Sequence, residues 1–349
     1  MLNGNVRFGV VGVGRIGKVH IENLENRIPD ASVIALSDTF PDELATMEAR
    51  YDIPDSFLDY RHVLELADVD AVAICTPTDT HYRMILDAAA AGKHVFCERP
   101  IDLSLDGIRE IANVVKKNGI KLMPGFNRRF DPNFQKVREV IQSGKVGAPH
   151  VLRITSRDPS PPPEDHSRSS GGMFQDMTIH DFDMARYLVG SEVTEVYARA
   201  NVLVDPAFEK SGDWDTSVAI LSFESGAMGT IDNSRKAVYG YDQRAEVFGS
   251  EGMVAVSNNL PDNHVYFDRM GTHSSPPLSF FLERYAESYL REMQAFVNAI
   301  RGNKPVPVGV TDELIAVEVG LAAMKSVREN RPVRIAEIHE SHMSSCEVC

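Results

Sequence analysis

A glycine turn set between an apolar run and a helical pattern narrows the fold of this chain more than any other feature. Residues 6–11 read as a buried parallel strand that passes directly into Gly12–Val13–Gly14–Arg15–Ile16–Gly17. Gly12 permits the tight turn, Gly14 lets the backbone approach a pyrophosphate, and Gly17 lets the following helix pack closely on the strand. The helix start offers free N–H groups and the positive end of its dipole to phosphate. A lone G-x-G-x-x-G is weak evidence. Here a second strand at residues 32–38 ends on Asp38, about 20 residues beyond the turn, where a carboxylate takes ribose hydroxyls and repels a 2′-phosphate. The cofactor expected is therefore NAD rather than NADP.

Strand and helix patterns keep alternating up to about residue 125, which predicts a doubly wound parallel sheet, a Rossmann domain. Further strands are expected at 71–75, 94–97 and 120–123, and helices from residue 41, near 60–66, after the 76–81 turn up to Gly92, and up to about Gly119 with Ser104 as N-cap. Ligands bind outside the carboxyl ends of such strands, so the Gly12 turn, the turn Thr76–Pro77–Thr78–Asp79–Thr80–His81 and the turn Glu98–Arg99–Pro100 are expected on one edge. Past Gly125 the character changes. Asp131–Pro132 predicts a helix start. Strand-like runs joined by short turns then give an α+β domain with a mostly antiparallel sheet, and single helices are expected over 174–188 and 280–300. The expected domains are 1–125, 126–335 and a polar tail, 336–349.

Composition matters mainly for what it excludes. A net charge of −14 argues against a nucleic-acid or anionic-membrane partner. No apolar run reaches transmembrane length, and four cysteines are too few for a disulfide framework, so a reducing, cytoplasmic setting is expected. Cys346 and Cys349 form a C-x-x-C in the tail, which is not read as a metal site.

In the second half Asp176 and His180 are four residues apart and would share a helix face. A carboxylate beside an imidazole orients it and raises its basicity, which suits a general base. Together with Thr155–Ser156–Arg157–Asp158–Pro159, Gly125–Phe126–Asn127–Arg128–Arg129–Phe130–Asp131 and the three strand-end turns, these residues make the chain resemble the Gfo/Idh/MocA oxidoreductases, and within them the inositol 2-dehydrogenases. The resemblance runs from Val6 to about Ile335.

It implies oxidation of a cyclic polyol, most readily myo-inositol to its 2-keto derivative, with hydride passing to NAD+. His180 would take the hydroxyl proton and Asp176 would bind and orient substrate and His180. Glu98 and the Thr76–Pro77–Thr78 turn would line the nicotinamide side, with His81 counted among the cofactor residues. Asn127, Arg129 and Arg157 are substrate-binding candidates by motif position, and Tyr239 and Tyr241 could close the pocket. Relatives pair through the open face of the second sheet, commonly as tetramers, which implies a homo-oligomer.

One position departs from the pattern. The family lysine that hydrogen-bonds the reacting oxygen is here Arg99. A guanidinium can donate to a developing alkoxide but does not shuttle a proton. Three readings stay open: a slower enzyme, a natural variant with a shifted substrate, or an engineered exchange. The rival functions are a dehydrogenase of another inositol isomer or sugar, and a cofactor-binding regulator with weakened catalysis.

Overall fold

Six short strands, β1 (Val6–Val11), β2 (Ala31–Ser37), β3 (Asp55–Phe57), β4 (Ala71–Ile74), β5 (His94–Cys97) and β6 (Leu122–Pro124), form a parallel sheet in the order β3-β2-β1-β4-β5-β6. The strand order reverses between β1 and β4, the crevice at which doubly wound sheets bind ligands. The computed structural model describes residues 4–163 and 170–339. The Cys346/Cys349 tail lies outside the described residues.

Local chemistry starts and stops the helices between these strands. Pro41 occupies the first turn of Pro41–Tyr51, with Asp42 and Glu43 beside it. Ser104 accepts from the Gly107 N–H at the start of Leu105–Asn118, and Gly119 ends that helix at φ +65°. Periodicity did not reveal β3, because three residues are too few to show a period.

The chain divides into two units, Met1–Phe130 with Glu287–Ile315 and Asp131–Ala286 with Ala316–Cys349. The expected boundary near residue 125 thus falls at Phe130, and a segment expected in the second domain belongs to the first unit. In that segment the helix Ala286–Arg301 packs Phe296 against Phe8 and Phe96, with ring centroids 6.2 and 6.1 Å apart. An amphipathic pattern says that one face is buried, not what it is buried against.

In the second unit, β7 (Pro149–Arg157), β8 (Val193–Asn201), β9 (Thr216–Phe223), β10 (Met228–Ser234), β11 (Asp242–Gly249) and β12 (Met253–Val256) build one sheet. A separate hairpin, β13 (Val265–Asp268) with β14 (Gly271–Ser274), follows, and β15 (Val333–Arg334) joins the sheet edge. The sheet order is β12-β11-β7-β10-β9-β8-β15, antiparallel except for the β7–β10 pair. Strand alternation separates its two faces. Ser156, Asn233 and Gln243 lie in register on the face covered by the helix Ile179–Val189, to which Asn233 is tied through Thr178 and Asp181. Val218, Ile220, Met228 and Phe248 stand exposed on the other.

The long helix expected over 280–300 is two helices, Phe281–Arg284 and Ala286–Arg301. The break lets Tyr285 meet Tyr241, whose ring also faces Phe280. Tyr241 is therefore a core residue of this unit, not a pocket lid. Among the described residues, no helix is long and apolar enough to cross a membrane.

Candidate functional site

In the first unit the glycine turn has the shape its spacing predicts. Gly12 sits at φ +91°, and a Cβ on Gly17 would lie 2.0 Å from the Gly12 carbonyl oxygen, so only glycine fits there. Gly14 is exposed, with nothing within 4 Å of where its Cβ would be. That open side faces the start of the helix Arg15–Asn26, whose first N–H groups have no carbonyl partner within the helix. Arg15 and Ile16 form its first turn, with Arg15 exposed. Asp38, immediately after β2, accepts from the Val13 N–H at 2.7 Å and the Phe40 N–H at 3.1 Å. It thereby holds the glycine turn while each carboxylate oxygen retains lone pairs for ribose hydroxyls. These residues fit a dinucleotide pyrophosphate and an unphosphorylated ribose.

Three strand-end turns lie on this edge. After β4, Thr76 hydrogen-bonds Thr80 through their hydroxyls at 2.6 Å, and the helix Thr78–Ala90 begins behind the exposed Pro77. His81 is not at the ligand surface. It is 1% exposed, and its ring nitrogens lie 2.8 Å from the carbonyl oxygens of Thr76 and Pro100, so it braces two turns from beneath. After β5, Glu98 and Arg99 are partly exposed. Glu98 Oε1 is 2.8 Å from His20 Nε2.

Of the substrate candidates in this unit, Asn127 is buried, and its carbonyl accepts from the Ser288 hydroxyl. Arg129 is paired to Asp312 at 2.8 Å. The Arg129 side chain thus has structural work within the unit, whereas Asn127 is held there through its backbone.

The second unit carries Asp176 and His180, but not on one regular helix. Met173–Met177 form a π-helical turn, and the α-helix Ile179–Val189 begins after Thr178. The wider turn changes the angle between positions four apart. Asp176 Oδ2 accepts from Arg235 at 3.1 Å, and the other arm of that guanidinium lies 3.5 Å from Asp158. Burial alone would weaken the positive charge on Arg235, but Asp176 and Asp158 outweigh it and hold the pKa above its ordinary value. Asp213 lies within the same field. Burial pushes its carboxyl up, against backbone hydrogen bonds from Met173 and Trp214 that pull it down.

Arg235 and Asp158 were not among the residues singled out from sequence. The signal for Asp158 was present, because it follows Arg157 in the quoted motif. Arg157 itself lies in β7 opposite Asp242 and Ser234, on the open face. There it bonds Asp232 at 2.6 Å and the Tyr239 hydroxyl at 2.9 Å, while Tyr239 donates to Asp242 at 2.6 Å. The structure does not bring Arg157 and Tyr239 to the helix that carries His180. Its next neighbour, Asp158, turns to Arg235 instead.

Replacing Arg235 with lysine keeps the buried charge and loses the two-armed geometry. The expected result is a substrate KM raised about tenfold, equivalent to about 1.4 kcal/mol, with cofactor affinity unchanged. Steady-state kinetics beside a cofactor titration would check it, and an unaltered KM would show that Asp176 needs no such anchor.

Two family descriptions match the chain. Residues 6–126 match "Oxidoreductase family, NAD-binding Rossmann fold" and residues 134–255 match "GFO/IDH/MocA C-terminal domain". The chain is 48% identical over 333 residues to the myo-inositol 2-dehydrogenase of Thermotoga maritima, covering 95% of this chain and 99% of that one. It is 46% identical to the inositol 2-dehydrogenase of Rhizobium meliloti, with the same coverage of each. A crystal structure of scyllo-inositol dehydrogenase from Lactobacillus casei with bound NAD(H) and scyllo-inositol aligns with a TM-score of 0.88 at 31% identity, over 95% of this chain and 99% of that one. With both halves matched in the order in which they occur, the chain belongs to the Gfo/Idh/MocA oxidoreductase family.

Proposed function

We propose that this protein oxidises a cyclic polyol with NAD+, and that its substrate is myo-inositol, converted to the 2-keto product. What carries the reading is the likeness to the L. casei protein described with both NAD(H) and an inositol bound, together with the two inositol 2-dehydrogenases above. The nicotinamide accepts the hydride when bound. Residues of the first unit hold the cofactor: the Gly12–Gly17 turn takes the pyrophosphate, Asp38 the ribose hydroxyls, and Thr76, Pro77, Thr78 and Glu98 the nicotinamide half. His180 removes the proton from the reacting hydroxyl, so the O–H electron pair forms the carbonyl as the C–H hydride leaves. Asp176, anchored by Arg235, accepts from substrate hydroxyls. Arg99 donates to the oxygen on which negative charge develops, and Asn127 and Arg129 shape the substrate side.

The open face of the second sheet, with Val218, Ile220, Met228 and Phe248 exposed, suits pairing of copies into a homotetramer. Free, buried Cys75 and Cys97 suit a reducing, cytoplasmic compartment.

The direct test is NADH formation with myo-inositol, run beside scyllo-inositol and a set of aldoses. Turnover with myo-inositol is expected to exceed the rest. A preference for an aldose would move the assignment to a sugar dehydrogenase, and NAD binding without any turnover would make the protein a regulator. Arg99→Lys, measured alongside, is expected to raise kcat about tenfold, because a compact ammonium can pass a proton. An equal or lower kcat would show that Arg99 is native to this active site.

A further inference from the structure

The first unit buries a group of titratable side chains of which the chemistry above uses only Glu98. His20 from the helix Arg15–Asn26, Glu98 after β5 and Glu292 from the helix Ala286–Arg301 bring one ring nitrogen and two carboxylate oxygens within 4.8 Å of one another. His20 and Glu292 are each 0% exposed. His20 Nε2 meets Glu98 Oε1 at 2.8 Å, and since a carboxylate only accepts, that nitrogen carries the hydrogen. Neither oxygen of Glu292 has a hydrogen-bond partner. Around them stand the rings of Phe96 and Tyr289, edge-on to His20 at 4.9 and 5.9 Å.

An ionised carboxylate without a partner in such a place is prohibitively costly, so Glu292 keeps its proton. Burial and then the charge of Glu98 both push it in that direction. The carboxylate that shares its cluster, within 4.8 Å, is Glu98. Glu98 also reaches the surface: its side chain is 18% exposed, and a Cβ on Gly125 would press within 2.8 Å of its Oε2. It stands at the carboxyl end of β5, on the β4–β6 half of the sheet. With the glycine turn and Asp38 on the β1–β3 half taking the pyrophosphate and adenosine ribose, that half is left for the nicotinamide.

We propose that Glu292 holds one proton beside Glu98 and His20, and that this proton is released when oxidised nicotinamide binds and retained when reduced nicotinamide binds. The proposal rests on the reading of this edge as the NAD site. Oxidised nicotinamide carries a positive charge and the reduced ring carries none. Facing the positive ring, the pair is stabilised with both carboxylates ionised and the proton goes to solvent; facing the neutral ring, it takes the proton back. The other titratable groups near the cluster are the Cys75 and Cys97 thiols and Tyr289, with Glu313 near Cys97. Burial, then the cluster's own negative charge, pushes the Cys75 thiol up, so it supplies no compensating anion near neutral pH. The same direction holds for Cys97.

Calorimetric titration of the whole protein with NAD+ and with NADH, between about pH 6 and 9 and in two buffers of different ionisation enthalpy, tests this. The Kd(NADH)/Kd(NAD+) ratio is expected to rise with pH, by up to tenfold per unit, with one proton released on NAD+ binding. In Glu292→Gln, where no proton can leave, both dinucleotides should bind with a ratio that no longer changes with pH. A flat ratio in the unaltered protein, or an undiminished slope in Glu292→Gln, would overturn the proposal while leaving the NAD site standing. Failure of both dinucleotides to bind the unaltered protein would overturn the NAD reading and this one with it. A divalent ion that copurifies with the protein and is lost in Glu292→Gln would also overturn it, by supplying the missing counter-charge. Should Glu292→Gln not fold, infrared difference spectra of the unaltered protein decide the matter. A protonated-carboxyl C=O band present with NADH and lost with NAD+ is expected, and an unchanged band refutes the idea.

Discussion

Replacing His180 with asparagine is expected to lower polyol-dependent NADH formation about 10²- to 10⁴-fold, the range over which a positioned general base contributes. The loss should fall on kcat, because the proton moves in the transition state rather than on binding. Cofactor affinity should stay as it was, since the residues that suit the dinucleotide lie in the other unit. A rate that survives His180→Asn would show that the proton leaves by another route and would remove the central residue from the proposed mechanism. A loss of NAD+ affinity instead would mean that the substitution acts through the fold. His180 begins its helix one residue beyond Ile179, directly after the π turn that carries Asp176. Its reach is therefore set by that irregular turn as much as by its own side chain.

The second large effect concerns stability. Asp131 and Arg284 form an ion pair at 2.6 Å whose side chains are 3% and 2% exposed. Asp131 Oδ1 also caps the helix Pro132–Gln142 through the Asn133 and Phe134 N–H groups. The guanidinium lies over the Tyr285 and Phe134 rings, 4.7 and 5.7 Å from their centroids. Asp131→Ala removes the cap and strands a buried cation, so a loss of about 3–5 kcal/mol is expected. For a unit of this size that is a fall of roughly 10 °C in Tm. Arg284→Met added to Asp131→Ala should recover part of it, because no unpaired charge remains and the methionine still packs against the rings. Thermal melts of the two single variants and the double variant check this. Additive losses would mean that the pair contributes little beyond the cap.

Much of the first unit was legible because its signals are local. A positive φ at Gly12, the lack of room at Gly17, the Ser104 cap and the proline at residue 41 each depend on a few neighbouring residues. The cofactor edge followed, since parallel strands separated by helices bring their ends together whatever the loops contain. His81 shows the limit of that inference. It belongs to the right turn, yet it points beneath it to two carbonyl groups. Arg157 shows another. The motif marks the segment, but strand alternation sends Arg157 to Asp232 on the open face and leaves Asp158 to reach Arg235.

The sequence by itself determined the glycine turn, the alternation of strand and helix, the acidic end of β2 and the presence of Asp176 and His180 in one segment, all features written within a few residues of each other. Only the tertiary structure decided that Arg235 holds Asp176, that a π turn separates Asp176 from His180, and that Glu292 returns from the far end of the chain to share a buried space with Glu98 and His20. The first and last of these join groups tens to hundreds of positions apart. Burial makes them strong and leaves no local pattern, because a buried charge is governed by whichever group packing brings beside it.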